Sequence, residues 1–496
     1  MDAERMLVLV GVGQVNDRPA DPLEGLSSVE LMTEALRRAD ADAGGGWLAR
    51  ADRLAAVRQI SMPTLHSAAP RVADALGLGG LATSDTASAS GDSPIRLLDE
   101  AANAIAAGDA RIVAITGGEA LRTAAARLRA QGADPAQQNA MRALTTRREP
   151  GYRQRYGLTA PVDVYPLYEN ACRAAWSQTL AEAQAETGAI WSRFSEVAAT
   201  TDAAWLRDPL PPEAIAAPGP GNRPIAFPYT KLMVANASVN QGAAFLVTSL
   251  AEARRAALPE HRLVHLGLGA AAAECDEILE RDRFDASASM AAALDGTLAA
   301  NRLAVADLDH VELYSCFPCV PKMARRVLGW PVDRPATVFG GLTFGGGPIA
   351  NYMSHAVAEM VHRLRAQPGR GLLFANGGYA THNHAIVVAS EPLDAACRPH
   401  DFDVQPEAEA RRRPAPPLAP DHAGPAVIET YTVFYDRSGA PTAGVVVART
   451  PTGTRTLAAV PVEDAEAIAF LTDGRAEPVG YPGTITRDND RSIWRF

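Results

Sequence analysis

Four segments of this sequence carry side chains or backbone with the chemistry of a reaction centre. In Val311-Glu-Leu-Tyr-Ser-Cys-Phe317, Tyr314 stands at the end of a buried strand. A phenol there can donate a hydrogen bond to a carbonyl oxygen, or move a proton if its pKa falls; the alternative is a core tyrosine with its hydroxyl satisfied. Cys316 belongs to Cys316-Phe-Pro-Cys319, a spacing used in redox and zinc sites. No second pair completes a zinc site, so two cysteines in a tight core turn is the preferred reading, with Cys316 kept as a candidate nucleophile. Leu372-Leu-Phe-Ala-Asn-Gly-Gly-Tyr379 is followed by Thr381, His382 and His384. Tyr379, His382 and His384 are proton carriers; a His-x-His pair can also bind metal, but no third ligand is near and no metal is expected. Ser88-Ala-Ser-Gly-Asp-Ser-Pro-Ile leads into a helix. A helix N-terminus holds anions, yet a serine hydroxyl needs a strong base to attack, so Ser88 reads either as nucleophile or as helix cap. Gly340-Gly-Leu-Thr-Phe-Gly-Gly-Gly-Pro348 permits close backbone approach to a ligand.

The elements that would position these groups follow from periodicity. Met6–Val12 reads as a buried strand, Ser27–Asp40 as an amphipathic helix and Asp52–Ile60 as a second strand, which is an α/β beginning. His261–Gly267, Ser287–Asn301 and Leu308–Tyr314 repeat the pattern and suggest an internal duplication. Between the halves lie an arginine-rich stretch, a long helix expected over Tyr168–Thr187, and a Pro/Gly-rich loop over Pro209–Pro228. The segment Arg411-Arg-Arg-Pro-Ala-Pro-Pro-Leu-Ala-Pro420 cannot form regular structure and reads as a linker. About five short strands over Val427–Tyr435, Ala443–Arg449, Arg455–Val460, Val479–Ile485 and Ile493–Phe496 point to a small barrel of the OB type.

The expected fold class is therefore α/β: a duplicated layered core with an inserted loop domain, plus a small C-terminal β-barrel. The expected divisions are 1–121 for the first half, 122–225 for the inserted loop domain and 226–255 for the remainder of the first half. The second half is 256–394, the linker 395–425 and the barrel 426–496.

The chain has 496 residues, 47% hydrophobic and 21% charged, a globular composition. Its formal net charge of -10, without a basic tail, argues against nucleic acid as a partner. Lys231 and Lys322 are the only lysines. Five scattered cysteines describe no disulfide framework, and no apolar stretch reaches membrane-span length, so a cytoplasmic location is expected.

In this order the four segments resemble the thiolase superfamily, over most of residues 6 to 390. Ser88 stands where that family places its nucleophilic cysteine, ahead of Ile112–Gly118 and Glu119. Tyr314 takes the place of an Asn or His. Gly346-Gly347-Pro348 replaces Gly-His-Pro. Asn376, beside Gly377, stands near the place of a second cysteine. Ser238-Val-Asn-Gln-Gly-Ala-Ala resembles the Asp-Gly-Ala-Ala segment, with Gln241 for the acid. Tyr-Ser-Cys-Phe-Pro and Asn-Gly-Gly-Tyr look like signatures of thiolase-like proteins with an additional C-terminal domain. That domain lacks cysteine here and so has no zinc ribbon.

The resemblance implies a protein that binds coenzyme A or acyl-CoA as substrate, with no tightly held cofactor. An acyltransferase using Ser88 or Cys316 is one reading. Carbon–carbon bond chemistry with Tyr314, Tyr379 and His384 is a second, and a catalytically silent binder a third. Gly346, Gly347, Pro348, Asn376 and Gly377 would line the thioester site. Arg147, Arg148, Arg153 and Arg155 could meet the phosphates in a cleft between loop domain and core, or form a solvated surface. The core could pair into a homodimer, or remain a monomer if the C-terminal domain blocks it.

Overall fold

The apolar run near the N-terminus becomes β1 (Leu7–Asn16), almost wholly buried, as its unbroken apolar character requires. The computed structural model describes residues 2–132, 150–394, 396–489 and 491–496. The other strands of the core region are β2 (Arg53–Ala56), β3 (Ala82–Asp85), β4 (Ile112–Ala120), β5 (Pro224–Ala226), β6 (Tyr229–Thr230), β7 (Asn240–Ser249), β8 (Val264–Ala273), β9 (His310–Leu313), β10 (Arg370–Gly377) and β11 (His382–Ala389).

A nine-stranded sheet runs in the order β3-β2-β4-β7-β1-β8-β11-β10-β9. β2 and β4 are parallel, as are β9 and β10, whereas β7, β1, β8 and β11 join antiparallel. The series β2-β4-β7-β1 is thus repeated, in reverse order, as β9-β10-β11-β8 about the β1–β8 seam, which is the duplication expected from the sequence. Helices Ser93–Ala107 and Tyr352–Ala366 bury most of their residues and touch each other in the middle of the molecule. Helix Ser28–Asp42 covers the other face of the first half. Ser27 caps it with Glu30 in a capping box, satisfying free N–H groups of its first turn.

Several elements depart from expectation. β2 stops at Ala56 rather than running to Ile60, because the backbone N–H groups of Ile60 and Ser61 turn aside to the Glu119 carboxylate. The long helix expected over Tyr168–Thr187 is two helices, Pro161–Ala175 and Leu180–Ala199. The break falls at Ser177, whose φ is 55°, and Thr179 restarts the chain with a capping box to Glu182. That Thr-x-x-Glu spacing was legible beforehand.

The C-terminal strands are β12 (Gly424–Tyr435), β13 (Pro441–Arg449), β14 (Arg455–Pro461), β15 (Pro482–Asp488) and β16 (Arg491–Arg495). They run β13-β14-β16-β15-β12, and β12 also pairs with β13, so the barrel closes on itself. β14 and β16 are parallel, and helix Ala465–Thr472 lies between β14 and β15 in sequence.

The segment 395–425 is packed rather than free. It contains helix Gln405–Arg411, whose Ala408 is buried against Ala272 and Ala292. Arg398 is buried with Asp99, and Arg412 pairs with Glu274. Ionic anchoring to the core overrides the proline-rich composition. The barrel is also docked. The Asn170 amide donates to the Tyr431 carbonyl at 2.9 Å, and Arg173 pairs with Glu477. β5 pairs with β12. Among the described residues no helix is long and apolar enough to cross a membrane, and all five cysteines are free thiols.

Candidate functional site

The parallel strands β2, β3 and β4 and the strands β9 and β10 direct their C-terminal ends toward loops that carry the four sequence segments. Tyr314 follows β9, and its N–H donates to the Phe374 carbonyl on β10 at 3.1 Å. Its ring is buried, edge-on to Tyr352 with centroids 5.9 Å apart. Its hydroxyl sits against the backbone of Gly91, just ahead of helix Ser93–Ala107. A Cβ on Gly91 would lie 2.3 Å from that hydroxyl and 2.2 Å from the Asn376 carbonyl oxygen, so only glycine fits.

Ser90 lies against Gly377 and donates to Asp92. The Ser315 hydroxyl accepts from the Leu342 N–H at 3.2 Å, which ties the glycine loop to the same place. Gly347 donates to the Asn236 carbonyl at 2.9 Å. Gly346 has φ 103°, and a Cβ there would stand 2.1 Å from the Gln241 side-chain oxygen. Gly346, Gly347, Pro348, Asn376 and Gly377 are all buried. All four segments therefore converge around Tyr314.

The insert closes this site with a residue that sequence reasoning missed. Tyr165 of helix Pro161–Ala175 donates to the Asn376 side-chain oxygen and to the Gly378 carbonyl, each at 3.1 Å, and accepts from the Ala380 N–H at 2.9 Å. It stacks on Phe317 at 4.4 Å. The Asn376 amide donates to Asn383 at 2.8 Å. Arg281, also missed, donates to the Tyr168 hydroxyl and the Tyr379 carbonyl at 2.6 Å each, and to Thr381 at 2.8 Å, fixing the turn after β10. The available signal was Tyr165 and Tyr168, one helical turn apart after a proline start.

The candidate nucleophiles are poorly served. Ser88 is exposed in the loop before the helix. It does not cap that helix; Asp92, four residues on, occupies the N-cap position. Among the described residues no base lies within hydrogen-bond reach of the Ser88 hydroxyl. Burial pushes the Cys316 thiol up to about 12, so it stays protonated at neutral pH. Burial also raises the Tyr314 phenol well above its ordinary value, with Cys316 and Asp92 adding to the shift. Tyr314 is thus a hydrogen-bond donor rather than a base.

The other candidates divide. Tyr379 is half-buried; its hydroxyl donates to the Thr159 carbonyl at 2.6 Å, and the Arg153 guanidinium lies 4.8 Å over its ring. His384 is fully buried and bonded to Asp99 at 2.8 Å, while Arg398 holds the second Asp99 oxygen at 2.5 Å. These three side chains join strand, central helix and C-terminal segment. His382 is half-buried at the start of β11. No group of three or more metal-ligating side chains occurs among the described residues. Arg153 is buried and occupied by the Leu158 carbonyl at 2.5 Å and by Glu277 at 3.3 Å. Arg155 is exposed, 5.7 Å over the Tyr152 ring. Arg147 and Arg148 lie outside the described residues.

Residues 403–490 match the family model described as the thiolase-like protein type 1 additional C-terminal domain. The whole chain is similar to a monomeric SCP2-thiolase-like protein type 1 from Mycobacterium smegmatis, with 30% identity over 100% of both chains and a TM-score of 0.83. The Ltp2-ChsH2(DUF35) aldolase matches at 20% identity and TM-score 0.60, over 78% of this chain and 98% of that one. Human mitochondrial 3-ketoacyl-CoA thiolase in complex with CoA matches at 17% identity and TM-score 0.59, over 79% of this chain and 99% of that one. These last two likenesses concern the fold. No curated protein matches the chain significantly.

Proposed function

The chain belongs to the SCP2-thiolase-like proteins of type 1, and from that premise we propose that it binds CoA thioesters without ever carrying the acyl group covalently. The observation that carries this reading is the Tyr314 phenol, held against Gly91 where the four segments meet and kept protonated by burial. A protonated phenol can donate a hydrogen bond to a thioester carbonyl oxygen. Acyl transfer needs an ionised sulfur or an activated hydroxyl, and neither Cys316 nor Ser88 offers one.

Carbon–carbon bond chemistry beside the thioester is the second reading. In a retro-aldol cleavage the β-hydroxyl would give its proton to water and become a carbonyl as the Cα–Cβ bond breaks. The bond's electron pair would pass into the thioester as an enolate whose oxygen the Tyr314 hydroxyl stabilises, and Cα would then take a proton from water. We read the C-terminal barrel as OB-type from its strand order and the position of its helix. The chain acts as a monomer, as its Mycobacterium smegmatis relative is described. Calorimetric titration with CoA and a series of acyl-CoAs tests the binding: measurable heat is expected, and no heat with no thermal shift for any of them contradicts the proposal.

A further inference from the structure

Beside the glycine loop, away from the arginines expected to meet phosphates, two other arginines lie over one indole. Trp205 is fixed by its backbone. Its N–H donates to the Gly345 carbonyl at 3.0 Å, and the next N–H, of Leu206, donates to the Phe344 carbonyl at 2.7 Å. The indole is 7% exposed. The Arg18 guanidinium lies 4.3 Å from its ring centre and that of Arg122 5.8 Å from the same ring. Arg207 is close enough, together with Arg122, to depress the Arg18 pKa further after the effect of burial. Among the described residues neither Arg18 nor Arg122 has a carboxylate partner. Arg207 pairs only with Asp202, whose side chain is 96% exposed.

Other arginines near the site are paired with carboxylates, Arg153 with Glu277, Arg173 with Glu477 and Arg398 with Asp99, while Arg281 is taken up by the Tyr168, Tyr379, Thr381 and Cys275 oxygens. Arg18 and Arg122, two like charges without a carboxylate partner among the described residues, repel one another, and an anion placed between them removes that repulsion. Guanidinium groups match phosphate oxygens in fork geometry, and a fixed aromatic face holds two of them in position before a ligand arrives. The cluster abuts Gly345, the neighbour of Gly346 and Gly347, so it borders the site gathered around Tyr314.

We propose that Arg18 and Arg122, gathered over the Trp205 indole, form a phosphate-binding site, and that the CoA nucleotide supplies the phosphate. The inference rests on the CoA-thioester reading for the source of the phosphate, not for the existence of the site.

The test is calorimetry at low salt on the full chain with inorganic pyrophosphate, adenosine 3′,5′-bisphosphate, CoA and pantetheine, repeated on Arg18→Gln, Arg122→Gln and the double variant. Pyrophosphate and CoA are expected to bind the parent and to compete. Each single variant should weaken both by roughly tenfold, the scale of one charge-assisted hydrogen bond. Pantetheine binding should not change, and the melting temperature should stay near the parent value because Arg18 is largely exposed and Arg122 only half-buried. Pyrophosphate that binds the double variant as it binds the parent, or gives no heat with the parent, overturns the site. CoA that binds the parent and loses nothing in the double variant overturns the assignment of its phosphates here while leaving the CoA reading intact. CoA that does not bind while pyrophosphate does, in an arginine-dependent way, defeats the CoA reading and leaves the site standing.

Discussion

Two buried oxygens on one strand face set the residue-scale account. Tyr314 and Glu312 lie two positions apart at the end of β9, on the same face. If Tyr314 is the working group, Tyr314→Phe should lower CoA-thioester turnover or binding at least tenfold, whereas Ser88→Ala should leave it within about twofold, since one hydrogen bond to a developing charge is worth about 1.5–3 kcal/mol. The reverse order, measured on any accepted acyl-CoA, makes the serine the acyl carrier. Glu312 accepts from Tyr352 at 2.7 Å, from Thr337 and from the Val338 N–H at 2.8 Å each, and burial still lifts its carboxyl from 4.5 to about 7. A raised carboxyl favours the folded state fully below the unfolded pKa, and that contribution is lost as pH rises through the folded one. Glu312→Gln, whose amide can face the rotatable Tyr352 hydroxyl, should therefore gain on the parent by on the order of 3 kcal/mol between pH 4.5 and 7. Urea unfolding across that range reads the difference; parallel curves for the two proteins contradict it. Tyr314 was legible because strand and loop signals surrounded it. The confinement of His384 was not, because Asp99 and Arg398 come from distant parts of the chain and only tertiary packing brings the charges together.

A fully buried ion pair helps join the inserted helices to the core, beside the partly buried pairs of Glu186 with Arg325 and Arg326. Lys322 of helix Cys319–Leu328 meets Glu169 of helix Pro161–Ala175 at 2.6 Å and donates to the Ala183 carbonyl of helix Leu180–Ala199 at 3.0 Å. Tyr229 donates to the other Glu169 oxygen at 3.0 Å. Replacing Lys322 by Met leaves the carboxylate buried without its cation, at a cost of roughly 3–5 kcal/mol. Adding Glu169→Gln should recover part of that loss, and denaturant midpoints of the single and double variants measure it; equal midpoints for parent and Lys322→Met contradict the linkage. The sequence announced most core elements because their apolar periodicity is strong, and the duplication appears directly in the sheet order. The insert was harder. Its helices are placed by buried polar pairs, and the only sequence signal for the inward face that carries Tyr165 is its spacing of one turn from Tyr168. The docking of residues 396–425 was not legible for a related reason: proline content speaks of local stiffness, whereas Arg398 and Arg412 are held by carboxylates far away in sequence.

At the scale of the whole molecule, core, insert and barrel pack as one body, since Arg173, Asn170 and Thr430 bind across the seam between insert and barrel. The sheet ends at β3, a four-residue strand with half-exposed and exposed side chains, too short and polar to offer a continuous pairing edge. Sedimentation at micromolar concentration should therefore show a single species of 52.3 kDa; a species of twice that mass contradicts the monomer. The central claim is that a thioester is bound and not exchanged onto the protein. Intact-mass spectrometry of the full chain, after incubation with an acyl-CoA that calorimetry shows to bind, tests it most directly. The account predicts an unmodified mass at every time point, in the parent and in Ser88→Ala alike. A mass gain equal to the acyl group, mapped to Ser88 or Cys316, would show covalent acyl transfer and contradict it.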